Sequence, residues 1–503
     1  MRCMILRLKF GLILVLLLSV PVPIKALARN YMQCEHAVKK WASSSLGSEV
    51  KDDKHALKDL LFFLHIPRTG GRTYFYCFLK KLYSKSQECP QSYDKLRLNP
   101  RKPHCRLLGT HDDYSMISKL PNEKTSVVTI LRDPIDRVFS TYEFSVEVAA
   151  RFLIHPNLTS VARMAQRPRN ASVVSTLDVW PWKYLVPWMI EDLFARRDAR
   201  KLRGKQSHLE ANNPYDMKDM LMPLHEYIND SIARDIIHNG ATFQIAGLTN
   251  YSYFAESHEV RHCVLRYQTL GGYVLEVAKR RLDNMLYVGL TENHRESATM
   301  FANVVGEQVI SKHATSSSST DVGTDDLEKS SLHTVVRSDA NYQGKNTHQM
   351  LKNISSIDKD EAAHENLTAG KLMEAYESCI STLRKAQSQR RTNSLKQISP
   401  ANFTKDARHR VPEAIIQEIA SLNSLDMELY TYAKNIFKKQ QEHAMQSVVY
   451  AERLSSTLPN STYSNSYSPQ SWKFLSLAIT GLFLLLYISV FFNARRRQSK
   501  IKL

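Results

Sequence analysis

Two apolar runs that each break into a turn and then a helix constrain this chain most. LFFLHIPRTGGRT at 61–73 and SVVTILRDPIDRVFS at 126–140 both read as a buried strand, a tight turn and a helix N-terminus. β-Branched and aromatic residues dominate the strand portions, and Gly or Pro bounds them. ATFQIAGLT (241–249) and MLYVGLTE (285–292) read as weaker strands, separated by helix-like stretches. Strands alternating with helices predict an α/β domain with a central parallel sheet flanked by helices.

The first turn is suited to an anion. Gly70 and Gly71 let the backbone come close to a ligand, and the amides of Arg72, Thr73 and Tyr74 open the helix with their N–H groups unpaired. Arg68 and Arg72 add charge, and Thr69 and Thr73 add hydroxyl donors. The loop lacks the GxxxxGK[ST] of nucleoside triphosphatases. A glycine turn before a helix is common, so a plain connection competes with the anion reading. The second turn sharpens it: Arg132 at the strand end and Ser140 two turns into the helix can face one small volume. The competing reading of RDP is an Asp-capped helix start. Between the two turns, LLGTHDDYSM at 107–116 carries His111, flanked by Gly109, Asp112 and Asp113. A lone histidine is commonly structural; a place between two anion-reading elements favours catalysis.

Both ends of the chain speak of a compartment. Residues 1–28 combine Arg2, Arg7 and Lys9 with the apolar GLILVLLLSV and small residues at Ala26 and Ala28. This predicts a cleaved signal peptide, with an uncleaved anchor as the alternative. Nineteen uncharged residues run from Phe474 to Phe492. At about 1.5 Å per residue they span roughly 28 Å, close to the bilayer hydrocarbon. Trp472 precedes them, and Arg495, Arg496, Arg497, Lys500 and Lys502 follow. Positive charge stays cytosolic, so a single-pass type I topology with a luminal body is predicted. Asn-x-Ser/Thr sequons at Asn157, Asn170, Asn229, Asn250, Asn353, Asn366, Asn402 and Asn460 all fall on that luminal side, as expected of a glycoprotein.

Of seven cysteines, Cys3 leaves with the signal peptide. Cys34, Cys77, Cys89, Cys105, Cys263 and Cys379 remain, an even number that suits disulfides in an oxidising lumen. Their pairing stays open, and Cys77 reads equally as a buried free thiol. The formal charge of +19 meets no nucleic acid in a lumen. It suggests acidic proteins, sulfated or carboxylated glycans, or small anions, against a merely solvated basic surface.

The expected domains are a signal peptide (1–28), a catalytic domain (29–312), a polar, largely disordered insertion (313–411), a helix packing back on the domain (412–454), a stalk (455–471), a transmembrane helix (472–493) and a basic cytosolic tail (494–503). The return helix follows from Ile415, Ile419, Leu422, Leu425, Leu429, Tyr432 and Ile436, which share one helical face.

HIPRTGGRT, GTHDD, LRDPIDRVFS, YVGLTENHRES and LNSLDMELYTYAKNIF, in that order, resemble the heparan sulfate 6-O-sulfotransferases. The resemblance covers roughly 60–300 and 412–438. With its signal peptide and C-terminal anchor, the chain also resembles the plant tyrosylprotein sulfotransferases. The resemblance implies a P-loop-like sulfotransferase fold and 3′-phosphoadenosine 5′-phosphosulfate as co-substrate. Residues 68–73 would hold the 5′-phosphosulfate, Arg132 and Ser140 the 3′-phosphate, and His111 would be the general base. The glycan enzymes have lysine where this chain has Arg68. Arginine stays charged, so Arg68 is assigned to charge stabilisation at the reacting centre rather than proton donation. Acceptors would be tyrosines beside acidic residues in secreted peptide and protein precursors, peptide hormones included, in the Golgi lumen.

A glycan O-sulfotransferase and a non-catalytic luminal binding protein are the alternatives. Other residues carry weaker expectations. WPWKYLVPW (180–188) reads as core packing rather than an acceptor stack, and Glu143 and Glu147 as helix-surface charges rather than bases. Arg295 is a further candidate for the 3′-phosphate. No CxxC or HExxH spacing calls for a metal.

Overall fold

The apolar runs at 61–65 and 126–131 become neighbouring strands in the computed structural model, which describes residues 21–47, 55–89, 105–165, 175–203, 213–317, 367–399 and 401–457. Helix α1 (Pro21–Gly47) precedes β1 (Leu60–Leu64), whose five residues LLFFL are all buried. The turn then enters α2 (Gly71–Tyr74), which continues through a π-helical turn at Phe75–Leu79. β2 (Leu107–Thr110) and β3 (Thr125–Leu131) follow, and α3 (Pro134–Ala150) leaves β3 under an Asp133 cap with Pro134 in its first turn. Next come α4 (Trp182–Arg203), α5 (Gly240–Ile245), α6 (Ser257–Arg266) and α7 (Gly271–Asp283). β4 (Tyr287–Leu290) and α8 (His294–Phe301) precede α9 (Ala369–Leu395), α10 (Glu413–Leu422) and α11 (Ser424–Thr457).

The four strands are parallel in the order β2-β1-β3-β4, with Leu64 beside both Thr110 and Thr129. All four are buried along their length, as strands covered on both faces by helices must be. The chain leaves β1 toward β2 and leaves β3 toward β4. The crevice beyond the C-terminal ends of β1 and β3 is therefore the topological switch point, where open α/β sheets bind ligands. One apolar core surrounds the sheet and takes in Val38, Phe78, Phe301, Tyr376 and Leu429. A second lies under α3, joining Tyr142, Leu185, Phe194, Tyr227, Ile398 and Ile419. Fully burying side chains of this size contributes about 1.5–3 kcal/mol each.

Several expectations need correction. ATFQIAGLT holds helix α5, not a strand. Asn239 turns left-handed at φ 51, and the Asp426 carboxylate accepts from the amides of Ala241 and Thr242, which caps the helix. Every residue of α5 is buried, so no polar face betrays the helical period. Within the expected insertion at 313–411, residues 369–395 and 405–409 are helical and packed. Leu372 and Tyr376 enter the sheet's core, and Leu395, Ala407 and Val411 the second one. The return segment breaks into α10 and α11 at Asn423, and α11 runs into the stretch assigned to the stalk.

The thiols pair as Cys34–Cys263, Cys77–Cys379 and Cys89–Cys105, so Cys77 is not a free thiol. Asn157, Asn229, Asn250 and Asn402 are exposed. Asn170, Asn353, Asn366 and Asn460 lie outside the described residues, as do residues 1–20, 318–366 and 458–503, which include the expected signal core, span and tail. Among the described residues no helix is long and apolar enough to cross a membrane.

Candidate active site

The loop after β1 is held by its own side chains. Thr69 Oγ1 donates to Ile66 O at 2.9 Å, so this hydroxyl closes the turn instead of serving as an outward donor. The Thr73 amide donates to Gly70 O at 2.9 Å, so it too is engaged within the first turn. Gly70 adopts φ 79, which glycine does at no steric cost. Arg68 adopts φ 68, a conformation costing roughly 1–2 kcal/mol in a non-glycine residue. Its carbonyl accepts from Arg132 Nη1 at 3.2 Å, and Thr69 O accepts from Thr291 Oγ1 at 2.8 Å, so residues just past β3 and β4 pin the strained turn. Gly71 is required for a reason the sequence did not disclose. A Cβ there would lie 2.2 Å from His65 Cδ2 and 2.6 Å from Nε2, so an imidazole, not a ligand, occupies the space. Gly70 and Arg72 are exposed, and Thr73 is half-buried.

The two arginines of the crevice meet at α3. Arg68 Nε donates to Ser140 Oγ at 2.9 Å, and its guanidinium lies 4.5 Å from the Phe144 ring centre. Sequence assigned Ser140 to the Arg132 side; in the structure its hydroxyl is bonded to Arg68. Arg132 is half-buried, with Nε 3.9 Å from Glu292 Oε1 and no hydrogen-bond partner for that N–H among the described residues. Burial and the Arg132 charge lower the Arg68 guanidinium to about 10. Burial also lowers Arg132, with Asp136 and Glu292 opposing and Arg408 adding repulsion. An anion between these two cations would relieve both, and the orphaned Arg132 N–H supplies a directed donor for it.

His111 stands at the end of β2. Its Nδ1 lies 2.9 Å from His65 O. A carbonyl can only accept, so Nδ1 carries the hydrogen and the neutral ring keeps its lone pair on Nε2. The His65 ring stacks on His111 with centroids 4.2 Å apart. Burial, then the His111, Arg72 and Arg68 charges, push His65 well below the usual imidazole range, so it stays neutral. Gln244 Nε2 lies 3.2 Å from His65 O, 3.1 Å from His111 O and 3.3 Å from Asp112 O, tying the β1 and β2 loops together. Asp113 accepts from the amide and hydroxyl of Thr249 at 2.9 and 2.7 Å, so the next loop is fixed to the same point.

Some functional neighbours escaped the sequence. Glu143, read as a helix-surface charge, is buried and binds Arg408 at 2.7 Å, Tyr215 at 2.7 Å and Arg391 at 3.1 Å. Burial alone would raise its carboxyl, but Arg408 and Arg391 outweigh that and hold it below the usual range. Arg391 and Arg408 come from the segment read as disordered, and their charges act on Arg68 and Arg132 respectively. Charge-rich composition hid them. Glu292 accepts from the Asp133 amide at 3.0 Å and from Tyr430 at 2.6 Å, bracing Arg132 against α11. Glu147 pairs with Arg151, the residue that caps the end of its helix. Arg295 is exposed and faces Glu377, with no contact to Arg68, Arg132 or Ser140. Trp180 and Trp182 are buried and Trp188 packs on Tyr227, as core residues. Among the described residues no His, Cys, Asp and Glu side chains are grouped to hold a metal ion.

No known family profile matches the chain. It is 56% identical over 481 residues to the protein-tyrosine sulfotransferase of Arabidopsis thaliana, a match covering 94% of this chain and 95% of that protein. An identity that high over nearly the whole of both chains leaves one conclusion: the chain belongs to the protein-tyrosine sulfotransferase family.

Proposed function

We propose that this chain transfers sulfate from 3′-phosphoadenosine 5′-phosphosulfate to tyrosine hydroxyls of secreted peptide and protein precursors, peptide-hormone precursors included. It does so from a type I membrane anchor in the Golgi lumen, at tyrosines with acidic neighbours. The observation that carries the reading is the meeting of Arg68, Ser140 and Arg132 at the switch point, with His111 on the adjoining strand end. The likeness to a protein-tyrosine sulfotransferase favours a tyrosyl acceptor over a glycan. Three disulfides and the exposed sequon asparagines suit a secretory lumen.

In the reaction the tyrosine oxygen forms a bond to sulfur while the bond from sulfur to the 5′-phosphate oxygen breaks. The electron pair stays on that phosphate, and adenosine 3′,5′-bisphosphate leaves. The phenol, with a pKa of about 10, is not deprotonated beforehand by an imidazole of about 6.5. His111 Nε2 takes the proton as the new bond forms, and the His65 carbonyl keeps the ring in the tautomer that can do so. The turn at 68–73 binds the phosphosulfate end through its exposed Gly70 and Arg72, the Thr69 hydroxyl and the Thr73 amide being engaged within the turn, and Arg68 stabilises charge on the departing oxygens without giving up a proton. Arg132 and Ser140 bind the 3′-phosphate.

The test is sulfate transfer by the full-length chain in detergent, with an Asp-Tyr peptide and heparan present together. Label on the peptide tyrosine is the expected result. Label on heparan alone, or donor binding without turnover of either acceptor, overturns the proposal. His111→Ala lowers turnover by about 10²–10⁴ while donor binding stays.

A further inference from the structure

A cationic, aromatic patch joins the start of α4 to the loop after α5 and takes no part in the donor chemistry. Lys183 Nζ sits 4.4 Å from the Tyr251 ring centre and 5.1 Å from that of Tyr184. The two rings stack with centroids 6.2 Å apart and planes 28° apart. Tyr184 is 44% exposed, unusual for a tyrosine in the first turn of a helix beside a core. No carboxylate among the described residues pairs with Lys183. Its charge therefore faces aromatic rings and solvent.

Two independent chains of contacts connect this patch to the reacting centre. From the base side, His111 leads to Asp113, which holds Thr249, two residues before Tyr251. From the donor side, the Arg68 guanidinium covers Phe144, and Phe144 packs edge-on to Trp182 at 4.5 Å, next to Lys183 in sequence. Both loops that carry the patch are thus tied, through these contacts and a residue or two of backbone, to His111 on one side and Arg68 on the other. Aromatic faces with an ammonium beside them suit a phenol ring whose neighbouring residue carries a carboxylate.

We propose that Lys183, with Tyr184 and Tyr251, forms the acceptor subsite, where Lys183 pairs with a carboxylate on the residue next to the acceptor tyrosine. This rests on the tyrosyl-acceptor reading above. Lys183 is a specificity-determining residue and touches neither donor nor sulfur. Asn250 begins a sequon beside Tyr251, and its amide bonds to Asp235, so the test must separate a sugar there from the lysine.

The experiment compares Asp-Tyr, Asn-Tyr and Lys-Tyr peptides as acceptors for the full-length chain and for Lys183→Met, Lys183→Arg and Lys183→Glu. Wild type prefers Asp-Tyr. Lys183→Met raises the KM for Asp-Tyr about fivefold and abolishes the preference over Asn-Tyr, with kcat and donor KM unchanged. Lys183→Arg restores the preference and Lys183→Glu shifts it to Lys-Tyr. Asn250→Gln leaves the Asp-Tyr preference intact. Should Lys183→Met fail to fold, rising ionic strength still weakens the wild-type preference for Asp-Tyr. A wild type that sulfates tyrosine without discriminating these peptides, or a Lys183→Met chain that discriminates as before, overturns the subsite alone. A wild type that sulfates no tyrosyl peptide overturns the functional reading itself.

Discussion

His65 connects the glycine turn to the base, and its chemistry can be read by titration. Burial keeps it neutral in the folded chain, while in the unfolded chain it takes up a proton below about pH 6.5. Above that pH both states are neutral and the group has no effect. Below it the unfolded state gains the proton, so stability falls by up to ~1.4 kcal/mol per pH unit from this residue. His238 and His294 are lowered by burial in the same sense. Urea unfolding between about pH 7.5 and 5.5 is expected to show the fall, and His65→Gln to flatten part of it. Gly71→Ala drives a Cβ into the His65 ring and is expected to cost about 1–3 kcal/mol of stability. Because His65 holds the His111 tautomer, that variant also lowers kcat more than it weakens donor binding, as steady-state kinetics beside donor titration would show.

At the scale of elements, the C-terminal helices complete a site begun by the strand turns. Glu143 on α3 joins Arg391 from α9 to Arg408, and Asp426 on α11 pairs with Arg137 of α3 at 2.8 Å. Glu143→Gln leaves two arginines facing each other and is expected to cost about 2–3 kcal/mol, discounted for the part-exposed arginines. Donor binding should tighten at low ionic strength, since the freed positive charges adjoin Arg68 and Arg132 and the donor is an anion; thermal unfolding and donor titration check both. Strands β1 and β3 and the turns after them were legible because buried apolar runs, aromatic in β1 and β-branched in β3, end abruptly at Gly and Pro. Arg68, Arg132 and His111 were legible because each follows a strand closely, and Ser140 through its spacing from Arg132 along α3. Helix α9 was not: Leu372, Tyr376, Ser394 and Leu395 are its only buried residues among 27, so its sequence reads as solvent-loving throughout. The role of Gln244 was hidden by the all-buried α5, where an apolar run looks the same as a strand.

Across the whole molecule, Cys77 just after the glycine turn is bonded to Cys379 on α9, 302 residues away in sequence. Exchanging both for serine is expected to cost about 2–5 kcal/mol, measurable as a lower denaturant midpoint. The bond also joins the parts of the chain on either side of residues 318–366. A protease site inserted in that interval would therefore yield fragments that migrate as one species until a reductant is added. Until then the nicked protein is expected to keep Arg391 and Arg408 beside Glu143 and to go on sulfating, which an assay before and after reduction would check.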